Sequence, residues 1–149
     1  MALNDAHPFR DGLLRFDGSH DFSGDTIKCA LVTSSFTPTE TTAHPCWGAG
    51  GTTDVSAYEV TAGGNYVAGG ATCANPSTSL VGSDRQLDFD NPAPWEQDGS
   101  NPTNARWAIF YNDSAPNKEC LGWYDLGAVH DMSGGETSIT VGAPFATVS

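Results

Sequence analysis

His44 and Cys46 stand two residues apart across Pro45 in "TTAHPCWGAGG", and imidazole and thiol are both ligand types for a soft divalent metal. A closed zinc site needs two further groups, which the sequence does not nominate, so the polarity of a loop is sufficient reason for both residues. Asp17, Asp21 and Asp25 recur every four residues, and Asp84, Asp88 and Asp90 gather around one segment, which raises calcium. Asp17-Gly18-Ser19-His20-Asp21 lacks the Asp-x-Asp-x-Asp-Gly order and terminal glutamate of a helix-flanked calcium loop, and a solvated acidic surface explains these carboxylates. No pair for glycoside cleavage can be selected among eighteen acidic residues, because the diagnostic separation is spatial.

Two further chemistries fail on pattern. Gly69-Gly70 in "NYVAGGATCAN" has neither the lysine nor the helix start of a phosphate-binding loop, so Gly63-Gly64 and Gly69-Gly70 are expected to supply positive φ or close strand approach, with Tyr66 filling core. There is no Gly-x-Ser-x-Gly elbow, and His7, His20, His44 and His130 fall in segments that read as arms or loops. The expectation is a non-enzymatic chain with no catalytic, cofactor-binding or metal residue to name. Cys29, Cys46, Cys73 and Cys120 form no Cys-x-x-Cys pair, which favours buried free thiols over disulfides.

The elements that position these residues read as β structure. The chain of 149 residues matches one domain, spanning 1–149, with 1–24 as an N-terminal arm or short helix in which Phe9 and Leu13 lie four apart behind Pro8. Thr26 to Thr33 is β-branched and apolar enough for a buried strand. The Pro/Gly-rich run 34–53 is too long for a simple connection, and Phe36 and Trp47 are expected to pack locally. Val55–Val60, the glycine turn and the run to Cys73 read as strand, bend, strand, and Gln86–Asp90 alternates with period two. A loop anchored by Trp95 follows. Ala105–Tyr111 places Trp107, Ile109 and Tyr111 on one face and Arg106, Ala108 and Phe110 on the other, with Cys120–Leu126 as antiparallel neighbour. Glu136–Val141 and an edge run Phe145–Val148 complete an all-β, antiparallel β-sandwich or jelly-roll-like barrel with long loops.

Six Lys and Arg against eighteen Asp and Glu, a net charge of −12, argue against direct nucleic-acid binding and against anionic membranes. Nor is any apolar run long enough to cross a bilayer. Met1–Pro8 shows no basic leader or apolar core of a secretory signal, so assembly in a cytoplasm is the expectation.

Read together, "DTIKCALVTSSFTPT", "DVSAYEVTAGGNYVAGGATCAN", "ARWAIFYNDSAPNKECLGWYDLG" and "DMSGGETSITV" resemble a family of small virion proteins from tailed bacteriophages. The order of the blocks carries the resemblance, which spans Asp25 to Val141. It implies a virion structural protein, a capsid decoration (cement) protein on the outer shell, with a β-sandwich-like fold. The implied partners are the major capsid protein and sister copies in a homotrimer. No catalytic residue carries over. The cysteines and the extra "HPCWGAGG" depart from the pattern, and the segment before Asp25, less recognisable, reads as an arm toward a neighbouring subunit. The alternative is a head-fibre or tail adhesin whose Trp47, Trp95 or Tyr58 stacks on host glycans.

Overall fold

Apolar runs with β-branched and aromatic residues set the architecture. The computed structural model describes residues 2–3 and 6–148. Their strands are β1 (Ala2–Leu3), β2 (His7–Pro8), β3 (Ile27–Val32), β4 (Pro45–Cys46), β5 (Thr53–Asp54), β6 (Ala71–Cys73), β7 (Ser77–Val81), β8 (Asp84–Asp88), β9 (Ala105–Asn112), β10 (Cys120–His130) and β11 (Ala146–Val148), joined by a helical turn α1 (Arg10–Leu13) and a 3-10 turn at Val55–Tyr58. The fold is all-β. A five-stranded sheet runs β2-β10-β9-β3-β6 and a four-stranded sheet β1-β11-β8-β7, both antiparallel, while β4 and β5 make a short parallel pair.

β9 lies at the centre of the larger sheet, as its composition demands, with Ala30 of β3 opposite Ile109 on one side and Trp123 of β10 opposite the same residue on the other. Alternate residues of β3 and β9, and those of β10 on either side of the bulge between Cys120 and Gly122, feed two clusters. Ile27, Cys29, Leu31, Ala108, Phe110 and Leu121 face the smaller sheet, where Leu87, Phe89, Phe145 and Ala146 close the main core. The rings of Phe89, Phe110 and Phe145 meet there, with centroids 4.6 to 5.7 Å apart. Ala30, Val32, Ile109, Tyr111 and Trp123 point the other way, and no second sheet covers them among the described residues. Phe9, Phe36, Trp47 and Val55 cover that face instead. Trp47 stacks on Tyr111 at 4.9 Å and Phe9 packs on Trp123 at 4.8 Å, so the long loop and the N-terminal turn act as the missing layer. This explains why β3 and β9 are apolar on both faces.

The local packing expected of Phe36, Trp47, Trp95 and Tyr66 is observed, since all four are buried. Several other expectations are corrected. Val55–Val60 is no strand: Asp54 Oδ1 accepts from Ser56 Oγ and from Gly48 N, the chain tightens into the 3-10 turn, and only Glu59 bridges to Val32. Within Glu136–Val141, Thr137 makes one bridge to Trp95; Ile139 and Val141 are buried, but the run finds no ladder. The run ending in β11 is interior to its sheet, between β1 and β8. Ser77–Val81 is a strand the sequence reading passed over.

The segment before Asp25 contains the expected short helix and, from Ala6 on, packs on its own chain. Phe9 and Leu13 are buried, and Phe9 N donates to Leu121 O at 3.0 Å. A polar node ties the segment down further. The buried Asn112 donates from Nδ2 to Asp25 Oδ2 at 2.6 Å and to His20 Nδ1 at 3.0 Å, while His20 Nε2 donates to Gly12 O at 2.7 Å. These partners fix the His20 tautomer.

Candidate functional site

Of the groups singled out by type, the structure gathers one set. His44 closes the Thr- and Pro-rich loop at a φ of 31°, its N–H donating to Asp11 Oδ2 at 2.6 Å. Cys46 belongs to β4 and bridges the backbone of Glu119, while Trp47 N donates to Lys118 O at 2.8 Å, so the loop is laid against the link between β9 and β10. Glu119 is held from the other side, its carbonyl accepting from Asn112 N at 2.9 Å. One ligand atom each from His44, Cys46 and Glu119 lie within 4.8 Å of one another.

The electrostatics of this set are unusual. Glu119 is 0% exposed, and neither carboxylate oxygen has a hydrogen-bond partner among the described residues. His44 Nε2 is buried in the same condition and lies 3.5 Å from Glu119 Oε1, an ion-pair distance without hydrogen-bond geometry. Burial first, and the Glu119 carboxylate second, push the Cys46 thiol up to about 12. Gly51 folds over the set so closely that a Cβ there would lie 2.6 Å from Cys46 Sγ. Glu119 escaped the sequence reading because it sits in a polar link, "PNKEC"; the available signal was its place immediately before the wholly buried start of β10.

The other candidates are dispersed or already engaged. Asp17 accepts from Ser19, Asp21 from Ser23 and Asp25 from Asn112, while Asp88 binds the Phe89 N–H and Asp90 binds Asn75. Among the described residues these acids form no metal-sized cluster. Gly69 and Gly70 have φ of 87° and 77°, as expected of bending positions. His130 Nε2 lies 2.9 Å from Thr137 Oγ1 beside an open depression lined by Tyr124, Leu126 and Glu136. Nothing among the described residues hydrogen-bonds the other ring nitrogen to orient a base. All four cysteines are buried and free. Burial raises the Cys29 and Cys120 thiols well above their ordinary value and Cys73 to about 12, which keeps them unreactive. Of the aromatics proposed to stack on glycans, Trp47 and Trp95 are buried, and Tyr58, 36% exposed, leans on Phe36 at 5.3 Å.

No protein-family model, curated protein or solved structure matches the chain.

Proposed function

We propose that this chain is a non-enzymatic structural protein of a tailed-bacteriophage particle, a decoration protein that binds the outer capsid shell and reinforces it. The observation that carries the reading is where the phage-like blocks fall. "IKCALV" forms β3, "ARWAIFYN" forms β9 and "CLGWYDLG" opens β10, the three adjacent central strands. Three of the resembling stretches therefore build the scaffold, while the extra "HPCWGAGG" lies in the covering loop. Rigid sheets with tightly packed loops suit a mechanical role, in which many small interfaces repeated over a shell add up by avidity.

One surface group supports a partner. Phe16 is 93% exposed on the link that follows α1, and covering an aromatic ring at an interface removes a large apolar area from water. The partner proposed for it is the major capsid protein, with a homotrimer of this chain as the bound form. The excess of acidic side chains keeps such a protein soluble before assembly.

The test is to add purified protein to genome-filled shells that lack it and heat both preparations. The expected result is saturable binding, density at the three-fold or quasi-three-fold positions in electron-microscopy maps, and DNA release at higher temperature. Equal heat resistance with and without the protein, or its absence from purified particles, overturns the reading.

A further inference from the structure

We infer that His44, Cys46 and Glu119 form a binding site for a single soft divalent cation, with zinc as the best match, which clips the covering loop to the β9–β10 link. The inference is independent of the decoration reading. It departs from the expectation, drawn from the sequence, that the chain has no metal site.

The unpartnered carboxylate carries it. Removing an ionised carboxylate from water is costly unless it is paired and hydrogen-bonded. Glu119 has neither oxygen hydrogen-bonded among the described residues, and His44 is the one basic side chain within ion-pair distance of it there. Both groups present buried, unused lone-pair or ring-nitrogen positions to the same point, with the Cys46 sulfur on its third side. A divalent ion bound to a thiolate, a carboxylate and a neutral imidazole makes a complex of zero net charge, which resolves the burial cost of all three at once.

Geometry and ligand chemistry narrow the ion. Zinc bonds of about 2.0 Å to nitrogen and oxygen and about 2.3 Å to sulfur place tetrahedral ligand atoms roughly 3.3 to 3.6 Å apart. His44 Nε2 and Glu119 Oε1 stand 3.5 Å apart already, and the widest separation in the set, under 4.8 Å, closes with small side-chain rotations. Thiolate and imidazole select zinc over magnesium or calcium, whose ligands are oxygens. The nearby Asp11 accepts from His44 N and pairs with Arg15, and Asp54 accepts from Gly48 N and Ser56 Oγ, which leaves the fourth position of the proposed site to a water molecule. Such a clip joins residues far apart in sequence, where cross-links restrict the unfolded chain most.

The untagged 149-residue chain, stripped with chelator under reducing conditions, is titrated with zinc chloride and with cobalt chloride. The expected result is one ion per chain, a cobalt spectrum with tetrahedral d–d bands and thiolate-to-cobalt charge transfer, and a higher melting temperature with zinc. Cys46→Ser and Glu119→Gln should each weaken binding by more than the roughly 10- to 100-fold that loss of a mere outer-shell partner costs. Cys73→Ser, a buried thiol elsewhere, should retain it. Should the ligand variants fail to fold, the wild-type cobalt spectrum decides alone. Absence of stoichiometric binding, bound cobalt without thiolate charge transfer, or undiminished binding by folded Cys46→Ser or Glu119→Gln protein overturns the site.

Discussion

Replacing Tyr66 with phenylalanine deletes one oxygen from the interior and leaves the ring in place. That oxygen completes a ladder. β6 pairs with β3 only at Ile27 to Cys29, and further along the same edge Leu31 N finds the Tyr66 hydroxyl, donating to Oη at 2.9 Å. The hydroxyl in turn donates to Glu59 Oε1 at 2.9 Å, and Glu59 also accepts from Gly69 N at 2.6 Å. Leu31 is wholly buried, so the substitution orphans its N–H at about 1 to 3 kcal/mol and forfeits a bond to a carboxylate at about 1.5 to 3 kcal/mol. Glu59 keeps its bond to Gly69 and partial access to solvent, which places the sum toward the lower end, about 3 kcal/mol. For a chain of this length that lowers the melting temperature by roughly 6 to 12 °C. Urea unfolding followed by tryptophan fluorescence measures it, with Tyr58→Phe, at a half-exposed ring, expected to stay within about 0.5 kcal/mol. A Tyr66→Phe cost below about 1 kcal/mol, with an unchanged denaturant slope, refutes the assignment of the hydroxyl as a structural plug.

Gly70→Ala should destabilise by more than about 3 kcal/mol, because its φ of 77° is strained for alanine and the new Cβ would overlap the Cys29 carbonyl and lie 2.6 Å from Ala30 Cα; Gly82→Ala, with a φ of 62° but open space, should cost only about 1 kcal/mol in the same unfolding assay. For Asp113, burial works to raise the carboxyl, but a hydrogen bond from Lys118 and the charge of Lys28 outweigh it and hold it below its ordinary 3.8. A depressed folded-state value contributes stability that is present above 3.8 and lost as pH falls beneath it, so Asp113→Asn should flatten the acid limb of a melting-temperature-against-pH curve. An acid limb identical to wild type counts against that pairing. Phe16→Ser should leave the melting temperature within about 1 °C and weaken shell binding about 10-fold or more in a co-sedimentation assay.

What was legible in the sequence was what burial writes into composition. β3, β9 and the first four residues of β10 are apolar on both faces because a sheet lies beneath them and a loop above, and the facing of Trp107, Ile109 and Tyr111 against Ala108 and Phe110 follows from strand period alone. β7 left no such mark. It is an edge strand exposed along most of its length, including Leu80 and Val81, and its place is set by the hairpin to β8. Ile139 and Val141 show the converse, since their alternation reports burial correctly while the backbone between them has no strand to join. His44 and Cys46 were legible as ligand types, but Glu119, distant in sequence, comes to them only through the bridge that lays the loop on the β9–β10 link. Pairing and convergence depend on which edges remain free after the core has formed, and local pattern does not encode that.

The register of the smaller sheet sets Ala2 beside Thr147 and Leu3 beside Ala146, so the two extremities of the described backbone run antiparallel in direct contact. Topologically the described backbone is nearly a closed ring. A short peptide spliced between them, with a new opening cut at the exposed Gly82 hairpin, is therefore a geometrically sound circular permutant. Its closure would fasten the one seam of the sheet that β1, only two residues long, now holds.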